Sequence, residues 1–221
     1  MTQPAGPIAV DYLAAIYEMA EEHIPPVQAG VARWMGVSPA SVSEAVKRLR
    51  RDGLVRDGGR ELEFTPRGQA AARALVRRHR LAERFLIEVI GLPWHRAHEE
   101  AGAWERAISD DVEARIAAIL HDPATCPHGN PIPGSSHPVD LSGLRPLAGC
   151  ALGERVILRR LTEDLELDLG VMRYFQDNGL MPGARIRVSD MAPDGTMTLE
   201  VRGKPVGLGP ELTDNLWVQI A

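Results

Sequence analysis

The segment that most constrains this chain is Gly36-Val37-Ser38-Pro39, a turn between two short amphipathic stretches. A serine side chain accepts hydrogen bonds from the first free amides of a helix, and proline fits the first helical position, where no amide donor is needed. Residues 27–35 and 41–51 are therefore expected as helices meeting across a tight corner. In the later helix Val42, Val46 and Leu49 share one face, while Ser43, Glu44, Lys47, Arg48 and Arg51 are available on the other. Gly53 stops it. Upstream, Ile8, Tyr12, Ile16 and Met19 recur at helical spacing over residues 8–22, and Pro25 and Pro26 close that helix. Downstream, Leu54-Val55-Arg56 and residues 61–65 flank Asp57-Gly58-Gly59-Arg60, the pattern of a hairpin around a tight turn. A helix-turn-helix followed at once by a two-stranded wing is a winged helix, in which the third helix enters the major groove and the wing lies along the DNA backbone. Ser38, Ala40, Ser41 and Ser43 with Glu44, Lys47, Arg48, Arg51 and the wing's Arg60 are its candidate DNA-contacting residues.

The formal net charge of −5 is no argument for a nucleic-acid partner, so the location of the basic groups carries that inference. With 44% hydrophobic and 25% charged residues the chain has the composition of a soluble globular protein, and its 221 residues suffice for one large domain or two to three small ones. No apolar run reaches the ~18 residues of a membrane span, and residues 1–7 lack the basic-then-apolar order of a signal peptide. A cytoplasmic location without membrane association is expected. In that reducing compartment Cys126 and Cys150 are not expected to hold a lasting disulfide.

Thr65-Pro66 caps a longer helix over residues 67–90, broken by Gly91-Leu92-Pro93, and helices over 95–109 and 110–120 follow. Their apolar stripes exceed what a small DNA-binding domain covers, which points to a helical dimer interface and, by symmetry, a palindromic operator on double-stranded DNA. The same region lays out possible metal ligands: His79 and Glu83 one helical turn apart, His98 and Glu105, then Cys126 and His128 in a Cys-Pro-His-Gly-Asn turn. Imidazole, carboxylate and thiolate are the side chains that hold divalent transition metals. Taken alone, His79 and Glu83 read more readily as a surface hydrogen-bonded pair and Cys126 as a small buried hydrophobe, while Lys47, Arg48, Arg50 and Arg51 also fit a solvated helix end. His95, His121 and His137 are read as solvated, and Trp34 and Trp104 as core. Residues 128–150 are rich in Pro, Gly and Ser and read as a linker. Beyond them, residues 154–161, 185–190, 196–202 and 217–220 alternate as strands, Gly195 turns a hairpin, and a helix over 169–178 ends at Gly179. That pattern is a small barrel with a helical insertion.

With these residues laid out, the chain resembles the metal-dependent regulators typified by the diphtheria toxin repressor and the manganese transport regulator, in the long form with a C-terminal SH3-like, FeoA-like domain. The likeness runs through Arg78-His79-Arg80-Leu81-Ala82-Glu83-Arg84, His98-Glu99-Glu100-Ala101, Trp104-Glu105, Ser109-Asp110 and Cys126-Pro127-His128-Gly129-Asn130-Pro131-Ile132-Pro133, with Asn178-Gly179-Leu180-Met181-Pro182-Gly183 carrying it into the last segment. The resemblance implies a winged-helix domain at residues 1–73, an all-α dimerisation and metal-binding domain at 74–140, a linker at 141–149 and a small SH3-like β-barrel at 150–221. It implies a dimeric repressor of metal-homeostasis genes and no enzyme, with Mn(II) favoured and Fe(II) the alternative. It also implies two neighbouring metal sites. The auxiliary site maps onto His79, Glu83 and His98, with Glu163 and Glu166 donated by the C-terminal domain and Cys126 and His128 as additional candidates; Arg80 and Asn130 fall where relatives hold an anion.

The primary site maps onto Asp11 and Glu105 but departs from the family pattern at two positions. Gly102 stands where Cys or Glu is usual, and Arg106 replaces a His; a guanidinium cannot ligate a metal. Glu99 offers a substitute carboxylate. Three rival readings follow: a metal-independent winged-helix regulator whose primary site is closed by Arg106, a metal-dependent hydrolase, which would need an open coordination position that no HExxH-type motif supplies, and haem sensing through Cys126-Pro127.

Overall fold

Two runs of helix, each followed by paired strands, organise the chain. The structure, a computed structural model, describes residues 9–221; Ile8, expected to open the first helix, and residues 1–7 lie outside the described residues. It divides into a unit ending at Arg77 and a unit running from Arg78 to Ala221.

In the first unit α1 (Ala9–Glu21), α2 (Gln28–Trp34) and α3 (Pro39–Arg51) enclose a core that includes Tyr12, Leu13, Ile16, Met19, Val31, Val42, Val46 and Leu49. The corner forms as its residues require: Ser38 Oγ accepts from the Ser41 amide at 3.1 Å, and Gly36 takes a left-handed φ of 63°. β1 (Val55–Gly58) pairs antiparallel with β2 (Glu61–Phe64), closing the wing, and Val55 and Leu62 anchor it to the helical core. Thr65 then caps α4 (Pro66–Glu88), its hydroxyl accepting from the Gly68 amide at 3.0 Å while donating to the Gly53 carbonyl at 2.7 Å.

The second unit joins a helical part to a sheet. A 3-10 turn at Trp94–Arg96 leads into α5 (Ala97–Trp104), and α6 (Asp110–Ile119) follows, capped by Ser109. α5 is shorter than the sequence pattern suggested, because the chain turns after Trp104 and leaves Glu105 at the C-cap, whereas α6 runs as expected with Leu120 at its C-cap. Leu81, Ala82, Leu86, Ala101, Ile108, Ile116, Ala117 and Ile132 pack these elements together. Trp104 is 36% exposed rather than core, and Trp34 is half-buried. His95 is half-buried too: its backbone amide and its ring engage Gln176 Oε1 at 3.1 and 3.0 Å, so its reading as a solvated residue is corrected, whereas His121 and His137 are exposed.

The C-terminal strands are β3 (Arg145–Pro146), β4 (Arg155–Leu161), β5 (Arg185–Met191), β6 (Met197–Val201), β7 (Lys204–Leu208) and β8 (Leu216–Ile220), in the order β3-β8-β4-β5-β6-β7. All neighbours are antiparallel, and the two outer strands are not hydrogen-bonded to each other, so the small SH3-like sheet is open rather than a closed barrel. A single helical turn, α7 (Glu163–Glu166), then α8 (Leu169–Asn178) interrupt the strands, and a further turn, α9 (Pro210–Thr213), precedes β8. Gly179 ends α8 at φ 72°.

The stretch read as a linker is only in part a linker. β3 pairs with β8 and Leu147 is fully buried in the core of the sheet, while His128, Gly129 and Asn130 are buried and the Leu161 amide bonds the His128 carbonyl at 2.9 Å. Pro, Gly and Ser there shape a tight turn as well as a tether. Gly129 shows why: at φ 94° its absent Cβ would lie 2.0 Å from the Arg159 carbonyl oxygen.

Candidate metal centre

Four segments of the second unit deliver polar side chains to one buried place. Helical spacing on α4 puts His79, Arg80 and Glu83 there. The first turn of α5 supplies His98. The Cys126–Asn130 turn, closed by the Cys126 amide on the Asn130 carbonyl at 2.8 Å, supplies Cys126 and His128. The short turn α7 supplies Glu163 and Glu166. All but His98 are buried, and His98 is half-buried.

The donors crowd together. Glu83 Oε1 lies 3.2 Å from His79 Nε2, 3.2 Å from His98 Nδ1 and 3.4 Å from His128 Nδ1. Glu166 Oε2 lies 3.2 Å from His98 Nδ1 and 2.6 Å from His128 Nδ1, and His79 Nε2 and His98 Nδ1 are 3.1 Å apart. Two donors each about 2.1 Å from one ion and at right angles around it are ~3 Å apart, so these separations match the edges of a single coordination polyhedron. His79-Glu83-His98, Glu83-Cys126-His128 and His98-Glu163-Glu166 each bring their ligand atoms within 4.8 Å of one another.

Orphaned atoms mark the same spot. Both ring nitrogens of His128, Glu83 Oε2 and Glu166 Oε2 are buried without a hydrogen-bond partner. The 2.6 Å approach of His128 to Glu166 is a close contact out of hydrogen-bonding alignment. Buried polar atoms left this way cost on the order of 1–3 kcal/mol each, and a divalent cation would satisfy the carboxylate oxygens together with one of the two His128 nitrogens. Nitrogen, carboxylate and thiol donors of this kind fit Mn(II), Fe(II) or Zn(II).

Electrostatics fit as well. Burial opposes the charged form of His79, yet Glu83 and Glu105 raise its pKa well above the usual value. His98, against the same burial, is raised to about 9 by hydrogen bonds to Glu166 and Glu83. Burial also works against Glu83, but His128 and His79 hold its carboxyl well below the usual range. For Cys126, burial and the charge of Glu83 push the thiol up to about 12. The protons on these imidazoles stand in for positive charge that the carboxylates require.

Neighbouring groups hold the donors in place. Arg80 donates through Nε and Nη2 to Glu163 Oε1 at 3.1 and 2.5 Å and through Nη1 to the Pro131 carbonyl at 2.5 Å. Asn130 donates to Glu166 Oε1 at 2.7 Å and accepts from Arg160 Nε. Arg80 and Asn130, the residues expected beside an anion, are thus both engaged by protein groups. Trp94 packs edge-on against the His128 ring, 4.8 Å between centroids, and donates to the Pro127 carbonyl at 3.1 Å. Arg160 and Trp94 were not singled out from the sequence, although strand alternation put Arg160 on the inward phase of β4.

The residues expected at the primary site behave differently. Glu105 is buried with Oε2 2.6 Å from His79 Nδ1. Glu99 is exposed, as is Arg106, and the space where a Gly102 side chain would project is open. Among the described residues, neither Glu99 nor Glu105 joins a group of three clustered donors. Asp11 is half-buried on α1. In the first unit, Ser38, Ala40, Ser41, Glu44, Lys47, Arg48, Arg51 and the wing's Arg60 are exposed and Ser43 is half-buried.

Comparison with known proteins accounts for each part. Residues 8–60 match the iron-dependent repressor N-terminal DNA-binding domain, residues 65–134 the iron-dependent repressor metal-binding and dimerisation domain, and residues 145–220 the FeoA domain. The iron-dependent repressor IdeR of Mycobacterium tuberculosis is 41% identical over 202 residues, covering 87% of each chain. The chain belongs to the iron-dependent repressor family. The diphtheria toxin repressor of Corynebacterium diphtheriae is 34% identical over 216 residues, covering 94% of this chain and 95% of that one. A solved manganese-dependent transcriptional repressor in complex with manganese superimposes with a TM-score of 0.83 at 34% identity, covering 97% of this chain and all of the other. The matched N-terminal domain is a DNA-binding one, and the family consists of transcriptional repressors, not enzymes, which removes the hydrolase reading. No helix among the described residues is long and apolar enough to cross a membrane.

Proposed function

We propose that this chain is a homodimeric transcriptional repressor of metal-homeostasis genes whose hold on a palindromic DNA operator depends on Mn(II) or Fe(II) bound by His79, Glu83, His98, His128 and Glu166, with Cys126 and Glu163 completing the donor set. The observation that carries this reading is the convergence of buried donor atoms, several of them without a hydrogen-bond partner, at separations suited to a divalent ion. Carboxylate-rich donors favour Mn(II), although metals later in the Irving-Williams order bind more tightly in vitro. The ion would supply positive charge at the point where α4, α5, the Cys126 turn and α7 meet. Glu83 and His98 then hold the helices, and Glu166 ties the SH3-like part to them. Metal binding energy realised in only one arrangement of these elements shifts the population toward it. In a dimer, that arrangement would fix the spacing of two copies of α3.

The exposed apolar residues Val89, Ile90, Trp104, Val112 and Ile119 around α4–α6 supply a surface for dimerisation. Ser38, Ala40, Ser41, Ser43, Lys47, Arg48, Arg51 and Arg60 are the proposed DNA contacts, with Glu44 setting the position of Lys47 through their 2.7 Å ion pair. Sensing is proposed to rest on the His79–His128 centre, since Gly102 and Arg106 supply no ligand to a second site.

The test uses a duplex selected from a random library by the Mn(II)-loaded protein. Fluorescence anisotropy should show tight binding with Mn(II), loss of it with chelator, and no Mn(II) response in the His79→Ala/Glu83→Gln variant. Equal affinity with and without chelator would instead favour the metal-independent regulator.

A further inference from the structure

Glu105 is buried, 6% exposed, at the C-cap of α5. Its Oε2 lies 2.6 Å from His79 Nδ1, while His79 Nε2 faces Glu83 Oε1 at 3.2 Å and His98 Nδ1 at 3.1 Å. His79 therefore has a carboxylate on each ring nitrogen, one within the donor cluster and one outside it. Resting on the proposed metal centre, we infer that Glu105 is a positioning residue for His79: its carboxylate retains the Nδ1 proton, fixing the ring with Nε2 as the lone-pair donor to the ion.

The physical reason is tautomer choice. A neutral imidazole places its single proton on either nitrogen, and the wrong tautomer points N–H at the metal. A carboxylate accepts but cannot donate, so at 2.6 Å Glu105 admits only the Nδ1–H form once the ring is singly protonated. Such carboxylate-histidine pairs orient the ring and raise its basicity toward the ion. The backbone adds rigidity, because the Glu105 amide closes α5 on the Ala101 carbonyl at 2.9 Å and the same helix carries His98. One short helix thus supplies a donor at its start and the group that orients another donor at its end. This assigns Glu105 to the centre holding His79, not to a ligand set of its own.

Co(II) titration followed by its visible absorption, with bound metal counted by equilibrium dialysis, separates these roles. Wild type and His79→Ala are measured first; unchanged binding in His79→Ala would overturn the metal-centre reading itself. Glu105→Ala is then expected to keep the number of ions per chain while weakening affinity about 10- to 100-fold. Glu105→Gln, whose amide oxygen accepts the same hydrogen bond, should recover most of that loss. Nitrogen-15 spectra of His79 in the metal-loaded protein should report Nδ1–H in wild type and in Glu105→Gln. Adding Glu105→Ala to His79→Ala should weaken binding no further. The inference fails if Glu105→Ala removes a full equivalent of metal and leaves the rest at wild-type affinity, which would make Glu105 a ligand. It fails equally if affinity and the His79 spectrum do not change in either variant.

Discussion

The outer face of α3 and the buried centre of the second unit are both made of charged and polar side chains, yet physics treats them in opposite ways. On α3, Lys47 and Arg48 keep more than half of their side-chain surface in water, and each pairs with a carboxylate on its own helix or at its end. Such exposed pairs contribute roughly 0–1 kcal/mol, so the face is free to be shaped by what it binds. In the centre, Glu83, Glu166 and His128 are at most 2% exposed, and the groups that face their charges are buried or half-buried as well: one another, His79 and His98, with Asn130 bonded to Glu166. Burial there is unfavourable unless an ion offsets it. The difference separates a surface that reads a partner from an interior that needs one.

The comparison breaks most visibly at Arg80. Replacing Arg80 with Ala leaves Glu163 buried without its guanidinium partner, which is expected to cost about 3–5 kcal/mol. Urea unfolding of the chelator-treated protein would measure this, and Arg80→Met/Glu163→Leu should regain most of the loss. An unchanged midpoint in Arg80→Ala would mean that the centre is as tolerant as the surface.

A second distinction concerns pH in the metal-free protein. His98 is raised from 6.5 to about 9, so the stability its imidazolium contributes is fully present below about pH 6.5 and is lost as pH rises through 9. Unfolding midpoints of the metal-free protein should fall over that window, by up to about 3 kcal/mol. Adding metal should flatten the dependence, because a ligated His98 no longer carries the proton.

Smaller effects belong to the first unit. Ser38→Ala removes the cap of α3, with an expected loss of about 1 kcal/mol measurable by thermal unfolding. Lys47→Ala/Arg48→Ala should leave stability within about 0.5 kcal/mol. The same variant should weaken operator binding and lower the slope of log affinity against log salt by about one for each phosphate that the protein no longer neutralises. A large stability loss there would show that this face also supports the fold.

The two regions were legible to different degrees. α3 could be placed from Ser38, Pro39 and the Val42-Val46-Leu49 stripe, because caps and amphipathic spacing are local properties. His79 and Glu83 were legible for the same reason. The turn of α7, strand β7 and the burial of the 128–133 stretch were not, since each depends on contacts made far away in sequence, as when Gly129 packs against Arg159. Adjacency in sequence marked Arg80 and Asn130 as neighbours of the site, and only the fold brought Glu163 and Glu166 against them.

By itself the sequence determined which elements form, which helix faces are apolar and which side chains of metal-binding type lie one turn apart, because each of these is settled within a few residues. The tertiary structure decided which of those side chains share one buried volume. It drew Glu105 onto His79 and Glu166 against His128, leaving Glu99 and Arg106 at the surface. Charge in a low-dielectric interior is governed by neighbours a few ångströms away, and those neighbours come from segments up to 87 residues apart, from His79 to Glu166.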